Sequence, residues 1–290
     1  RMTGGIGYAL GALLLFGLGD LIYKRAAAAG ARPHHLLMVQ SWVFLPSVAV
    51  YGLLTGALHF GAGVAWGAGA GLFMTIGFYN FAHSLESGSI SINAPIFRLS
   101  FVITAGLAVV VLGESLTSRK GLGIALALAA TWLLLGGPAP ENRSGRRESG
   151  SSLVRVLVAT AAVGIGNVAY KFGLRDGITP ASLIVAQAAV VVTLSTLFAG
   201  SVDRGIRPAA PAVRYAPLAG IVLATAFVLM VESLAHGEAS VVIPIAQMGF
   251  LVTAMVGFVL LREPFTLRKG LGLAAALGAL AALASVPPGH

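Results

Sequence analysis

Apolar residues run in long unbroken stretches along this chain, and most charged residues gather at the ends of those stretches. The stretches fall at roughly 5–25, 35–56, 62–84, 90–112, 119–136, 153–174, 180–199, 213–235, 239–261 and 267–286. Each is close to the ~20 residues an α-helix needs to cross a bilayer. They are rich in Ala, Leu and Gly and lack the period-two alternation of a lipid-facing barrel strand. The pattern predicts an all-α polytopic membrane protein with ten transmembrane helices. The first run has no clear small-residue cleavage site and has a copy in mid-chain, so it reads as a mature helix rather than a signal peptide.

The chain also contains itself twice. The segment starting at Gly17 aligns with that starting at Gly164 at an offset of 147, with identities at Tyr23/Tyr170, Lys24/Lys171 and Gln40/Gln187. Further on the offset is 149, and Ser84/Ser233, Pro95/Pro244, Phe101/Phe250, Thr104/Thr253 and Glu114/Glu263 coincide. Each half holds five spans, an odd number, so the second half enters the membrane from the opposite side. The expectation is two inverted five-helix repeats with the substrate path between them. Residues 1–137 and 153–290 form the repeats, and 138–152 form a polar linker.

Composition points to lipid as the solvent. The chain is 57% hydrophobic and 10% charged, against roughly 25% charged in an ordinary soluble domain. It has no cysteine, hence no disulfide, thiolate metal site or cysteine nucleophile. Of 19 lysines and arginines, 13 fall in odd-numbered loops and 5 in even-numbered loops and termini, with Arg98 set aside within a span. The positive-inside rule then puts both termini on the non-cytoplasmic side.

Each half ends in S-x3-P, an apolar helix, and L-x-E-x-x-T-x-R-K-G-x-G. The residues are Ser91–Pro95 with Leu112–Gly123, and Ser240–Pro244 with Leu261–Gly272. With the five-plus-five duplication, this resembles the EamA-like branch of the drug/metabolite transporter superfamily over nearly the whole chain. The resemblance implies a carrier, leans towards export with protons as the candidate coupling ion, in a bacterial-type inner (plasma) membrane, and does not select a substrate. Many relatives are described with cytoplasmic termini, opposite to the charge count.

Polar residues inside the spans carry the functional information, because a charge in hydrocarbon costs several kcal/mol unless paired or hydrated. Arg98 lies one turn after Pro95, and its repeat partner is the neutral Gln247. A guanidinium fork there suits a carboxylate or phosphate; a structural pair with Asp20 or Glu86 is the alternative. Asp20 stands four residues before Lys24, the spacing of an intrahelical ion pair, and its counterpart is Asn167, beside Lys171. His83 and Glu232 occupy matching positions and can titrate. Gln40, Gln187, Tyr79, Asn80 and Asn93 offer neutral hydrogen bonds, and Trp42 either packs between helices or stacks on substrate. Substrate-binding candidates are therefore Arg98, Gln40, Tyr79, Asn80, Asn93, Gln187, Gln247 and Trp42. Coupling or gating candidates are Asp20, His83, Glu232, Lys24, Lys171, Pro95 and Pro244.

The prolines bend the fourth helix of each half or simply kink it. Glu114 and Glu263 read as salt-bridged corners with the following Arg-Lys pair rather than transport chemistry. Trp66 and Trp132 read as interfacial anchors, and GxxxG spacings such as Gly67/Gly71 as close helix contacts. No Walker A, H-E-x-x-H or G-x-S-x-G motif occurs, which sets aside an intrinsic ATPase, a zinc protease and a serine hydrolase. No cofactor or metal is expected. The expected partners are a small-molecule substrate and membrane lipids, without nucleic acid, for a monomer or homodimer. Mixed charge in the spans favours an amino-acid-like zwitterion as substrate. A multidrug-type organic-cation exporter is the alternative within transport, and a lipid scramblase or membrane-embedded lipid enzyme the alternative outside it.

Overall fold

The computed structural model describes residues 2–87, 90–135, 150–203, 206–259 and 266–286. Glu263, residues 138–149 of the linker and the side chain of Glu86 lie outside the described residues. The helices are α1 (Met2–Ala28), α2 (Pro33–Leu54), α3 (Val64–Ser87), α4 (Ile90–Arg98), α5 (Ser100–Leu112) and α6 (Ser118–Leu135) in the first half. The second half has α7 (Gly150–Arg175), α8 (Pro180–Asp203), α9 (Ala210–His236), α10 (Ala239–Ala246), α11 (Phe250–Val259) and α12 (Leu267–Ala284). No strand occurs among the described residues, as expected where lipid offers no partner for open backbone groups.

Nine segments among the described residues are long and apolar enough to cross a membrane. The predicted span at 62–84 is a helix of sufficient length, α3. Its hydropathy is diluted by Gly67, Gly69, Gly71 and Gly77 and by Trp66, Tyr79 and Asn80, and it is not among the nine. The fourth span of each half is broken into two helices, and α7 starts at Gly150, three residues inside the predicted linker.

The halves interleave rather than sit side by side. Helix α1 packs on α9 and α10, α3 on α7 and α8, α2 on α8 and α9, and α6 on α12. Gly5, at the start of α1, and Lys171, near the end of α7, both approach the C-terminus of α9. The first helix therefore starts on the face where its repeat ends, and the halves are inverted. We call this the terminus face, and the side where α6 ends and α7 begins the linker face.

Equivalent contacts recur in both halves. A Cβ on Gly71 would lie 2.6 Å from the Gln187 carbonyl oxygen, and one on its counterpart Gly220 would lie 2.8 Å from that of Gln40. Only glycine admits such backbone approach, which supplies the packing that holds membrane helices together. The Tyr23 hydroxyl donates to Gln40 Oε1 in one half, and Tyr170 donates to Gln187 Oε1 at 2.5 Å in the other.

Candidate functional site

Two broken helices meet in the centre of the bundle. Pro95 lacks an N–H and crowds the preceding turn; α4 ends at Arg98, and the Leu99 amide bonds back to the Ile96 carbonyl at 3.0 Å. Thr160 Oγ1 of α7 donates to the same Ile96 carbonyl at 3.0 Å. In the second half Pro244 precedes a 3₁₀ turn over Gln247–Gly249, with Met248 at φ −79° and ψ 22°. Ser100 Oγ donates to Gln247 Oε1 at 3.3 Å and links the two breaks. Arg98 lies about 12 Å along the helix axis from Ile90, and Gln247 about as far from Ala239, so the breaks reach similar depth from opposite faces. Helices α1 and α7 cross them closely. A Cβ on Gly17 would sit 2.5 Å from the Gly249 carbonyl oxygen, and one on Gly164 3.1 Å from that of Ser100.

At this level Arg98 and Asp20 form a charged pair, joined through Arg98 Nη2 and Asp20 Oδ2. Their side chains are 21% and 34% exposed, so neither is fully enclosed by the protein. Of the two partners the sequence offered for Asp20, Lys24 on the same helix and Arg98, the structure pairs it with Arg98 across the helix interface. In the opposite half the neutral Asn167 donates instead to Thr104 Oγ1 at 3.2 Å. The pseudo-symmetric positions thus hold a salt bridge on one side and an uncharged hydrogen bond on the other.

The terminus face is closed by a network of charges. Glu114, buried in the loop after α5, accepts from the Ala239 and Ser240 amides at 2.7 and 2.8 Å and from Ser240 Oγ at 2.6 Å. A carboxylate there satisfies orphan amides at the N-terminus of α10 and complements the helix dipole. Lys120 pairs with Glu238 at 2.5 Å and donates to the Ser115 carbonyl at 2.6 Å. Lys171 donates to the Leu234 and Gly237 carbonyls, both at 2.6 Å, and Arg175 to that of Leu112 at 2.8 Å. The predicted corner within one repeat is thus corrected: Glu114 caps a helix of the other half, and Lys120 pairs across the repeats. Helix α10 packs on α5 at this end.

The remaining candidates are dispersed. Gln40 and Gln187 are held by the two tyrosines. Asn93 is buried and its amide donates to the Ser84 carbonyl and to Ser152 Oγ, both at 2.9 Å, clamping α3, α4 and α7. Asn80 turns back onto the Ile76 carbonyl of its own helix. Tyr79 packs against His83 and Phe198 on the α3–α8 seam. Glu232 lies near the terminus face, 4.0 Å from His236 and hydrogen-bonded to Tyr51. Trp42 is 39% exposed and donates to Thr196 on α8. Trp66, at the terminus end of α3, donates to Asp176 at 2.7 Å, and Trp132 lies exposed near the end of α6.

Sequence reasoning overlooked Tyr23, Tyr170, Thr160 and Glu238 as functional positions. The two tyrosines carried a signal, since both they and their glutamine partners are identical between the repeats. Among the described residues no group of three or more His, Cys, Asp or Glu can hold a metal ion.

A crystal structure of another protein superposes with a TM-score of 0.79 at 15% identity, over 97% of this chain and 96% of the other. That likeness shows the fold alone. Among curated proteins none matches the sequence. Residues 3–136 match the model of the EamA-like transporter family. That match covers the first repeat and supports an EamA-like membrane transporter of the drug/metabolite transporter superfamily.

Proposed function

We propose that the protein is a secondary transporter that moves a small polar organic metabolite, an amino-acid-like zwitterion, by alternating access between its two halves. The observation that carries this reading is the Arg98–Asp20 pair beside two crossed helix breaks. A zwitterion can separate that pair by offering its carboxylate to the guanidinium and its ammonium to the carboxylate, so both protein charges keep a partner. The charged closure of the terminus face supports a state open towards the linker face. The basic bias of the linker-face loops favours a cytoplasmic opening with both termini outside, in a bacterial-type inner membrane. Export in exchange for protons, with Asp20 as the coupling carboxylate, completes the proposal, for a monomer or homodimer.

The test is a thermal-shift screen of purified protein against metabolites, repeated on Arg98→Gln, followed by counterflow in proteoliposomes. A zwitterion that stabilises the wild type and not the variant, and that is transported, supports the proposal. Stabilisation by hydrophobic cations alone, equal in both proteins, would point to multidrug-type export. An apolar cavity of about 480 Å³ lined by Trp66, Phe73, Leu107, Val111, Ile165 and Phe172 favours a second reading, lipid handling. Flipping of labelled lipid without solute transport would replace the metabolite with lipid.

A further inference from the structure

The apolar cavity of about 480 Å³ is a groove with a direction. Its walls are Trp66 and Phe73 on α3 and Leu107 and Val111 on α5, and its floor is Ile165 and Phe172 on α7. Trp66 to Phe73 and Ile165 to Phe172 are each about two helical turns, so the groove runs about 10 Å along the helix axes. That length lies within the ~15 Å of hydrocarbon in one leaflet. The groove begins at the terminus face beside Trp66. It ends at Ile165, next to Gly164, whose Cβ would lie 3.1 Å from the Ser100 carbonyl oxygen at the helix break. Its lining residues carry no charge. Val111 and Ile165 are 51% and 39% exposed, so in a bilayer the groove opens sideways onto acyl chains, which are as apolar as leucine.

A missing side chain makes the room. A Cβ on Gly69 would meet nothing within 4 Å. The equivalent residue of the other repeat is Leu218, and that of Phe172 is Arg25, so the second half does not repeat this lining.

The mouth of the groove carries one charge of each sign, supplied by consecutive residues at the end of α7. Arg175 Nη2 donates to the Leu112 carbonyl of α5 at 2.8 Å, and Asp176 Oδ2 accepts from Trp66 Nε1 of α3 at 2.7 Å. The cation thus stands on the α5 wall and the anion on the α3 wall, and both residues are exposed. A guanidinium keeps further N–H donors when one is used, and a carboxylate keeps a second oxygen. The indole beside them suits the level of the lipid headgroups.

We propose that the groove is a resident site for one phospholipid whose headgroup carries a phosphate and a primary ammonium, a phosphatidylethanolamine. One acyl chain lies along Phe172, Gly69 and Ile165, the phosphate meets Arg175, and the ammonium meets Asp176. The apolar groove accepts any chain; the two opposite charges at its mouth select the headgroup. Its walls belong to the first half and its floor to the second, so the chain is a wedge between the halves. The α5 wall leads into Glu114, which caps α10 at the closed face. Movement of α5 on opening that face changes the width of the groove, so bound lipid favours the closed face. The site rests on the groove and its rim, whichever solute the transporter carries.

The experiment uses the full chain in detergent, with phosphatidylethanolamine, phosphatidylglycerol or phosphatidylcholine added in mixed micelles, read by native mass spectrometry and thermal shift. The wild type is expected to retain one phosphatidylethanolamine and to melt about 5 °C higher at a hundredfold excess over Kd. The other two lipids should bind about fivefold more weakly, for the loss of one exposed ion pair. Gly69→Leu fills the groove without a clash at Cβ. It should melt no lower than the lipid-free wild type and lose the lipid shift. Asp176→Asn keeps an acceptor for Trp66 and removes the charge, so it should bind phosphatidylglycerol as well as phosphatidylethanolamine. No retained lipid in the wild type, an undiminished shift in Gly69→Leu, or equal binding of the three lipids by the wild type would each overturn the site. Flipping of labelled phosphatidylethanolamine that is lost in Gly69→Leu would make the lipid a cargo and overturn its residence. Solute counterflow by a protein that retains no lipid removes this site and leaves the transporter proposal standing.

Discussion

Lys120 and Glu238, contributed by opposite halves of the duplicated chain, form an ion pair at 2.5 Å with the lysine side chain 1% exposed. Glu238 is the N-cap residue of α10, and Glu114 accepts from the first amides of that same helix. One short helix of the second half is therefore held at its N-terminus by two charged residues of the first. A carrier needs such contacts to be strong enough to exclude water and local enough to break as a unit. Charges buried at a helix terminus meet both requirements, because their partners are lost together once the helix end moves.

Breaking this pair from one side should be costly. Lys120→Met leaves the Glu238 carboxylate without its cation, a change worth about 3–5 kcal/mol for a buried pair. The double variant Lys120→Met/Glu238→Leu should recover most of that loss. Thermal unfolding of the single and double variants in detergent measures the coupling; additive losses would show that the two residues do not act as a pair.

Glu114→Ala removes three charge-assisted hydrogen bonds from the start of α10. The expected loss is about 1.5–3 kcal/mol, with faster hydrogen exchange at the Ala239 and Ser240 amides. Ser240→Ala, which removes only one of the three, should cost about 1 kcal/mol. Unchanged exchange at both amides in Glu114→Ala would rule out the capping role.

Helix contact across the halves depends on missing side chains. Gly71→Ala places a methyl group 2.6 Å from the Gln187 carbonyl oxygen, and overpacking of this kind costs about 1–3 kcal/mol. Gly69→Ala, two residues away, meets nothing within 4 Å, so it should be neutral or slightly stabilising in a helix. Comparing the two melting temperatures separates packing from helix propensity.

The cysteine-free sequence makes the closed face directly measurable. Ser240→Cys replaces a fully buried side chain at the terminus face, and Ala254→Cys lies in a small cavity at the linker face. A water-soluble maleimide should label Ala254→Cys and spare Ser240→Cys. Adding Lys120→Met to Ser240→Cys should expose the thiol. Equal labelling of both single variants would contradict the asymmetry of the two ends.

Much of the architecture was legible in one dimension. Hydrophobic length marks the spans, the two constant offsets mark the repeat, and an odd number of spans per half makes the halves inverted. Pro95 and Pro244 mark the breaks because proline lacks the N–H that would continue the helix. These are properties of segments, set by local chemistry and by the bilayer. α3 is the exception, where glycine and polar residues dilute the hydropathy of a helix the structure nevertheless forms.

The pairing of polar groups belongs to the tertiary structure. Local spacing favours Asp20 with Lys24, yet Asp20 meets Arg98, 78 residues away. Glu114 precedes a basic pair in sequence, yet caps α10, 125 residues on. Asn93 looks like a free amide in its span and is instead bound by Ser84 and Ser152. Arg98 and Ser84 come from other helices of the same half, Ser152 and Ala239 from the opposite half, and all become neighbours only when the chain folds. Sequence alone determined that this chain is a duplicated, inverted set of membrane helices, because hydrophobicity and backbone chemistry act segment by segment. Which charges meet, and which face closes, was decided only by folding, because buried charges take the partner that geometry offers rather than the one nearest along the chain.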